Sequence, residues 1–301
     1  MWIVETLKVI LLGIVEGITE WLPISSTGHL YLLDGIINLN VSKEFKDLFM
    51  YVIQFGAILA VLLIFWPKIW PFHKKSKKSK GSFWNKISDN TVIEKLQLFA
   101  DDYVYMDKIM LWLKIVVSCL PALLILPFDD TIDNKLMAPE VAPFVIASAL
   151  IFYGILFIVV ENYNKKNRRV KIRSLAEITW TTALLIGVFQ MLAAIPGTSR
   201  SGATIIGGII LGMSRKVAAE YTFFLAIPVM AGVSLIKILR FGVAFSALEV
   251  WYLLLGMVVS FIVSLLAIKF LMGYVRKHDF KVFGWYRIAL GILVLLVFFI
   301  K

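Results

Sequence analysis

Cysteine is nearly absent from this chain of 301 residues. Cys119 is the only one, and it lies in an apolar run. A single cysteine can build neither a disulfide framework nor a cysteine metal site. Acidic residues are also scarce, with 20 Asp and Glu against 31 Lys and Arg, which gives a net charge of +11. Basic loops in an apolar chain more often reflect orientation in a membrane than contact with nucleic acid. We therefore expect no nucleic-acid partner.

Apolar residues, by contrast, make up 60% of the chain, and the mean hydropathy is +0.85. A soluble domain is closer to half apolar, and several stretches here approach the roughly 20 apolar residues that cross a bilayer. The chain is predicted to be an all-α integral membrane protein, a polytopic helical bundle in one membrane domain over residues 1–301. The predicted full spans are six: about 46–66, 109–126, 142–161, 217–238, 249–271 and 283–300.

Two further apolar segments are interrupted in the middle. The first covers about 2–37 and is interrupted at 23–28, and the second covers about 175–212 and is interrupted at 196–202. Each interruption contains a proline, which removes a helix donor and clashes with the preceding turn. Non-helical backbone at membrane depth survives only when protein or water surrounds it. Both segments are therefore predicted to be re-entrant helix hairpins that enter and leave on one side.

The two interrupted segments resemble each other. "GIVEGITEWLPISSTG", which starts at Gly13, aligns without gaps with "GVFQMLAAIPGTSRSG", which starts at Gly187. Three predicted spans follow each hairpin, so we interpret the chain as two copies of one unit, about 1–161 and 174–301. Because three crossings are an odd number, the second hairpin must enter from the opposite face, which makes an inverted repeat. The aligned pairs are Glu16 with Gln190, Ser25 with Ser199, Ser26 with Arg200, Thr27 with Ser201 and Gly28 with Gly202.

The charged loops agree with this topology. Segments 67–108, 162–174, 213–216 and 272–282 would share one face, and together they hold 20 of the 31 Lys and Arg residues. The positive-inside rule makes this face cytoplasmic and opens the first hairpin to the outer face. The run "HKKSKKSK", residues 73–80, is interpreted as a solvated cytoplasmic loop, with binding of anionic lipid headgroups as the alternative.

Ionisable side chains inside a membrane are costly and usually functional. Glu16 and Glu20 are four residues apart, so they share one helical face. Two facing carboxylates can hold a divalent cation, share a proton or pair with an arginine. The alternative is that one of them only neutralises Arg200.

Hydroxyl groups and an imidazole follow these carboxylates. One of Ser25, Ser26 and Thr27 is expected to cap the second half-helix, and three hydroxyls are more than a cap needs. His29 falls in the first turn of that half-helix, where it can act as a general base or as a nucleophile. A purely structural histidine is the alternative.

The stretch "PGTSRSGAT", residues 196–204, has the complementary chemistry. Gly197 and Gly202 allow a tight turn, and the helix that follows presents an N-terminus that favours anions. The planar guanidinium of Arg200 matches a phosphate. The substrate-binding candidates in the two motifs are Ser25, Thr27, Gly28, Gly197, Ser199, Ser201 and Thr204.

These two stretches carry a family resemblance over essentially the whole chain. "EGITEWLPISSTGHL" and "PGTSRSGAT" resemble the signature regions of the bacterial undecaprenyl-diphosphate phosphatases of the bacitracin-resistance type. The family pattern is E-x-x-x-E followed by P-x-S-S-T-G-H, and later P-G-x-S-R-S-x-x-T, and the polar positions match without departure. The resemblance implies a hydrolase of the bacterial plasma membrane that converts undecaprenyl diphosphate into undecaprenyl phosphate, the lipid carrier of peptidoglycan synthesis. It also implies a site open to the outer face and a divalent cation, Mg²⁺ or Ca²⁺.

Carried over by motif, the resemblance implies catalytic roles for Glu20, Ser26, His29 and Arg200. Glu16 and Glu20 are the expected metal ligands. We favour Ser26 as the nucleophile assisted by His29, with His29 itself as the alternative. The competing function is a transporter or flippase for a prenyl-phosphate lipid or another anion, because inverted repeats with broken helices are a transporter architecture. The expected partners are the lipid substrate and membrane lipids, and the sequence leaves a homodimer open.

Overall fold

A computed structural model describes residues 2–34, 37, 39–72, 103–167, 170–241 and 245–300. Within these ranges the chain is helical, and its only extended pairings are two isolated bridges. The run 73–80 and most of the basic segment 67–108 lie outside the described residues. The α-helices are α1 Trp2–Thr19, α2 Ser26–Asp34, α3 Lys43–Ile69, α4 Met106–Leu123, α5 Asp129–Leu136, α6 Ala142–Asn167, α7 Trp180–Met191, α8 Arg200–Ile210, α9 Arg215–Phe241, α10 Ala247–Tyr274 and α11 Lys281–Ile300.

Five of these helices are long and apolar enough to cross a membrane: α3, α6, α9, α10 and α11. They coincide with five of the six predicted spans, so the chain is a multi-pass helical membrane protein. The remaining predicted span, 109–126, corresponds to α4. That helix is 18 residues long and carries Asp107, Lys108 and Lys114, which makes it less apolar than the other five.

Both interrupted segments are helix–break–helix units, and the second helix begins earlier than predicted. We expected interruptions up to Gly28 and Gly202, but α2 begins at Ser26 and α8 at Arg200. The preceding serines explain the early start. Ser25 Oγ accepts from the Gly28 N–H at 3.3 Å, and Ser199 Oγ accepts from the Gly202 N–H at 3.2 Å. Each serine therefore satisfies a backbone donor of the first helical turn, and both glycines lie inside the helix.

The two breaks also share an unusual backbone conformation. Ser25 has φ of 73° and Ser199 has φ of 67°, and among the described residues they are the only non-glycine residues with positive φ. Such a conformation costs about 1–3 kcal/mol and persists only where the surrounding structure enforces it. These two serines are also aligned in the sequence comparison, so the same strained turn is built twice.

The two ends of each interrupted segment lie together. At the second hairpin, the Ile172 N–H donates to the Gly212 carbonyl at 2.9 Å, and the Ser214 N–H donates to the Ile172 carbonyl at 2.8 Å. At the first hairpin, the N–H of Asn40 donates to Glu5 Oε2 at 2.9 Å. After each break the chain therefore returns close to the point where the interrupted segment began.

Helix α6 packs against α11, and glycines set their separation. A Cβ atom at Gly154 would lie 2.7 Å from the Gly284 carbonyl oxygen, and a Cβ at Gly284 would lie 2.7 Å from the Gly154 carbonyl oxygen. A Cβ at Gly291 would lie 3.0 Å from the Ala147 carbonyl oxygen. Since a later residue of α11 meets an earlier residue of α6, these two helices run antiparallel. The close approach requires glycine at the crossing point.

We expect Gly284→Val to destabilise the fold, because its Cβ would overlap a backbone oxygen that cannot move aside. Overpacking of this kind typically costs about 1–3 kcal/mol. Thermal unfolding in detergent measures the effect. Gly273→Val is the matched control, since a Cβ there would meet nothing within 4 Å. Equal shifts for the two variants would contradict the close-packing argument.

Candidate functional site

The two breaks meet at Glu20. Its Oε1 lies 3.0 Å from Arg200 Nη2, and the hydroxyl of Ser26 donates to its Oε2 at 3.2 Å. The side chains of Glu20 and Arg200 are only 10% and 12% exposed. A partly desolvated ion pair is favourable only with good geometry and further hydrogen bonds, and Ser26 supplies one of them. The structure thus brings together three of the four predicted catalytic residues.

Hydroxyl groups of the second motif surround this pair. Ser201 Oγ donates to the backbone carbonyl of Glu20 at 3.1 Å, so it joins the second interrupted segment to the first. Ser199 Oγ lies 3.2 Å from Ser201 Oγ and also caps α8. Ser201 is buried, whereas Ser199 is only half-buried. Both serines therefore position the break through the backbone.

Thr204 continues the network into α9. Its Oγ1 donates to the Arg200 carbonyl at 2.9 Å and lies 2.8 Å from Thr222 Oγ1. The Thr222 carbonyl also accepts from Arg200 Nη1 at 3.4 Å. Thr222 was not among the sequence candidates, because a threonine inside an apolar helix gives no motif signal. Together Thr204 and Thr222 orient the arginine.

Glu16 is fully buried, and neither of its carboxylate oxygens has a hydrogen-bond partner within the described part of the chain. Gln54, Glu20 and Arg200 are the polar side chains near this carboxylate, and none of them has hydrogen-bond geometry to it. Gln190, which aligns with Glu16, is also buried, and both its side-chain amide atoms are unpartnered there too. Because unpaired buried polar groups are costly, the position of Glu16 is suited to a ligand that supplies hydrogen bonds or positive charge.

Glu16 and Glu20 are compatible with a divalent cation, although the described residues contain no cluster of three or more His, Cys, Asp or Glu side chains suited to a metal. Mg²⁺ is commonly held by one or two carboxylates, with waters and phosphate oxygens completing the octahedron. The unpartnered oxygens of Glu16 provide such a carboxylate beside Glu20. This donor set therefore fits a cation that arrives with, or is completed by, a phosphate ligand.

Among the described residues, His29 makes no hydrogen bond to Ser26 or to a carboxylate. Its Nδ1 lies 2.7 Å from the Ser25 carbonyl oxygen, and its Nε2 lies 2.7 Å from the hydroxyl of Tyr286. The two rings are stacked, with centroids 5.6 Å apart. Both imidazole nitrogens are thus occupied, and Glu20 occupies the place at Ser26 that we expected His29 to take.

The other predicted binding residues differ in accessibility. Ser25 is fully buried and acts as a cap, so its hydroxyl faces the protein, whereas Thr27 is half-buried. Gly28 is buried within α2. Gly197 has φ of 89°, and a Cβ there would lie 2.7 Å from the Ile146 carbonyl oxygen. Gly197 is therefore required by the shape of the break.

Arg287 is the main residue that the sequence analysis missed. It is fully buried on α11, where Nη1 donates to the Pro23 carbonyl at 3.3 Å. Its Nη2 donates to the carbonyls of Gly197 and Thr198 at 2.9 and 2.8 Å. One guanidinium therefore joins both breaks. An arginine inside the predicted span 283–300 was the available signal, since intramembrane arginines are usually functional.

Comparison with known proteins agrees with these motifs. The family model described as bacitracin resistance protein BacA matches residues 9–293. A protein of Enterococcus faecalis named undecaprenyl-diphosphatase is 54% identical over 98% of this chain and 97% of its own length. Proteins of the same name from Desulfitobacterium hafniense and Lachnoclostridium phytofermentans are 54% and 51% identical, over 99% and 97% of this chain and 98% and 96% of their own lengths. The chain therefore belongs to the bacitracin resistance protein BacA family.

Proposed function

We propose that this protein is a hydrolase that removes the terminal phosphate of undecaprenyl diphosphate and releases undecaprenyl phosphate. The observation that carries the proposal is the contact of Ser26 and Arg200 with the same carboxylate, Glu20. A nucleophilic hydroxyl, a proton acceptor and a phosphate-binding cation are the groups that phosphoryl transfer needs. The reaction returns the lipid carrier to peptidoglycan synthesis and so confers resistance to bacitracin.

The inverted repeat and the two re-entrant hairpins belong to the same proposal. Equivalent helices of such a repeat run antiparallel, as α6 and α11 do. For α3 and α9 the same direction follows from two contacts at opposite ends, Ser234 Oγ to the Tyr51 carbonyl at 2.8 Å and Lys68 Nζ to Glu220 Oε1 at 2.8 Å. The packing partners also correspond, since α1 packs on α10 as α7 packs on α4. In this topology α4 is the sixth span.

The proposed orientation follows from the distribution of charge. The four basic loops face the cytoplasm, and the first hairpin opens to the outer face of the plasma membrane. The diphosphate headgroup then enters from the outer leaflet. The fully apolar prenyl chain remains at membrane depth.

Arg200 and the N-termini of α2 and α8 receive the two phosphates. Helix N-termini present free N–H groups and partial positive charge to an anion. The guanidinium of Arg200 exchanges the Glu20 carboxylate for phosphate oxygens, which frees Glu20 to accept a proton. Arg200 then neutralises charge that develops on the phosphorus oxygens.

Ser26 is the proposed nucleophile, with Glu20 as the base. As Ser26 Oγ forms a bond to the terminal phosphorus, its proton passes to Glu20, and the bond to the bridging oxygen breaks to release undecaprenyl phosphate. Water then attacks the phosphorus of the phosphoserine, the bond from phosphorus to Ser26 Oγ breaks, and Glu20 returns its proton to that oxygen. This restores the serine hydroxyl and releases inorganic phosphate. His29 remains the alternative nucleophile, but Tyr286 and the Ser25 carbonyl must first release its ring nitrogens.

We also propose a divalent cation, Mg²⁺ or Ca²⁺, held by Glu16 and Glu20. The unpartnered oxygens of Glu16 support this assignment. When bound, such an ion neutralises phosphate charge in the site. Glu16 would bind and orient the ion. The attacking oxygen is that of Ser26.

The first isoprenoid units have a place beside the headgroup. A mostly apolar pocket of about 350 Å³ lies between α4, α9 and the end of α7, and Gln190 and Arg200 are among its polar lining residues. This volume is at the lower end for small-molecule sites, so the pocket holds the part of the chain next to the diphosphate. The rest of the tail extends into lipid.

Phosphate release from undecaprenyl diphosphate by purified protein in detergent tests the function. Ser26→Ala and Arg200→Ala should each lower kcat at least about 10³-fold, because each removes a group that acts in the transition state. Ser174→Ala, at an exposed serine remote from the breaks, should keep wild-type activity. No release by folded wild-type protein would favour a transporter. Label from ³²P-substrate trapped on His29 instead of Ser26 would reverse the nucleophile assignment.

Arg287 is proposed as a positioning residue, since its acceptors are the backbone carbonyls of both breaks. Arg287→Lys keeps the charge but loses the planar fork, and we expect kcat to fall about 10²-fold from misplacement of the reacting groups. KM should change little at temperatures well below unfolding. Steady-state kinetics measures this split, and thermal unfolding is followed in parallel. A variant that is less stable but has unchanged kcat would reduce Arg287 to a structural role.

Gly232 lines the apolar pocket, and a Cβ there would meet nothing within 4 Å. Gly232→Leu should therefore fill space that the tail needs without disturbing the helix. We expect KM for undecaprenyl diphosphate to rise about tenfold, equivalent to losing the contacts of about two methylene groups. Inhibition by inorganic phosphate, which has no tail, should stay unchanged. Gly273→Leu is the control, and an equal rise in KM there would contradict the tail assignment.

A further inference from the structure

A second cavity, of about 630 Å³, lies away from the proposed catalytic site. It is formed where α6 and α10 end and where α9 begins, at the face that carries the basic loops. Five of its lining residues are basic: Lys165, Arg173, Arg215, Lys216 and Arg276. None of the described lining residues is acidic.

Arg215 is held rigidly in this cavity. Its Nε and Nη2 lie 2.8 and 2.6 Å from the two carboxylate oxygens of Glu161, which is fully buried. Glu161 also accepts the Phe280 N–H at 3.1 Å. The guanidinium is therefore fixed by a bidentate ion pair, which neutralises one of the five positive charges.

The charge that remains is larger than the helix ends explain. The C-termini of α6 and α10 each contribute about half a negative charge, and the N-terminus of α9 about half a positive charge. With Glu161 counted, about three and a half positive charges remain at the cavity. Basic side chains at helix C-termini are common, but the two C-termini here carry together only about one negative charge to be neutralised.

Nearby acids lower this charge without cancelling it. Glu177 lies near Arg173, and the backbone N–H of Arg173 donates to Glu177 Oε2 at 2.8 Å. This hydrogen bond and a second one from the Ser174 hydroxyl lower the pKa of Glu177, so its carboxylate is ionised. Asp279 lies near Arg215. Glu220 is 4.0 Å from Lys216 but is paired with a different lysine at 2.8 Å. With Glu177 and Asp279 both counted, about one and a half positive charges remain.

We propose that this cavity binds a phosphate-bearing anion, either the headgroup of an anionic lipid or free phosphate. Basic pockets between helices at the cytoplasmic membrane surface are suited to lipid phosphates, and arginine forks match phosphate geometry. The volume lies in the range of small-molecule sites, about 300–1,000 Å³. It therefore leaves room for a substituent on the phosphate.

Such a ligand would clamp the second hairpin. Arg173 lies just before the hairpin and Arg215 just after it, and each directly follows one residue of the hydrogen-bonded pair Ile172 and Ser214. A phosphate that contacts both arginines joins the entry and the exit of the hairpin that carries Arg200. Binding therefore stabilises the native state and raises the unfolding temperature.

Thermal unfolding of delipidated full-length protein in neutral detergent tests this. Micelles with phosphatidic acid, micelles with phosphatidylcholine and inorganic phosphate are compared as probes. We expect a rise on the order of 5 °C at a hundredfold excess of ligand over Kd for one phosphate source. Arg173→Gln with Arg276→Gln should lose most of this rise. A shift with phosphatidic acid identifies a lipid headgroup, and a shift with inorganic phosphate alone identifies free phosphate.

The matched control is Lys171→Gln with Lys277→Gln, which removes the same charge from exposed neighbours outside the lining. The control should keep the full shift. Phosphate bound at the catalytic site would shift both double variants alike, so only the difference between them counts. Equal shifts in the two double variants, or no shift with either phosphate source, would overturn the proposal.

Discussion

The backbone of two broken helices has to be satisfied by protein, and the rest of the structure depends on that constraint. At membrane depth there is no bulk water for the carbonyls and N–H groups that a break exposes. Arg287 donates hydrogen bonds to backbone carbonyls of both breaks, and the hydroxyls of Ser25 and Ser199 each accept an N–H of the following helix. Because one buried arginine serves both breaks, neither can move independently of the other.

This arrangement also explains why the polar site is strained and close-packed. A serine with positive φ is unfavourable by itself, yet it turns the chain so that the next helix begins at once. Ser26 and Arg200 are the first residues of α2 and α8. Two helix N-termini and an arginine thus converge on one point, which is an environment for an anion. The carboxylate of Glu20 occupies that point in the structure described here.

Much of this was predictable from the sequence because polar residues inside apolar runs are rare and informative. The two interrupted segments and the meeting of the motifs followed from composition, proline and glycine positions, and sequence repetition. The pairing of Arg200 with a glutamate was the alternative that the sequence left open. The partner of Ser26 did not follow, since choosing between Glu20 and His29 depends on side-chain directions across a non-helical turn. Thr222 was missed because a threonine inside an apolar helix gives no motif signal, and Tyr286 was missed because its contact with His29 joins segments far apart in sequence. Arg287 was visible as an intramembrane arginine, but its acceptors are backbone carbonyls, which no motif records.

In the proposed repeat, aligned positions of the two units carry different chemistry. Ser26 and Arg200 are aligned in the two units, and both contact Glu20, one as a hydroxyl donor and one as a cation. Glu16 aligns with Gln190, and both are buried without hydrogen-bond partners among the described residues. The backbone of the two breaks is therefore equivalent while the chemistry is divided between them. The first break carries the acid groups and the nucleophile, and the second carries the positive charge. A symmetric pair of breaks would place two like charges at their meeting point. With the asymmetric pair, the second unit can hold the diphosphate through its positive charge while the first unit attacks it through its nucleophile.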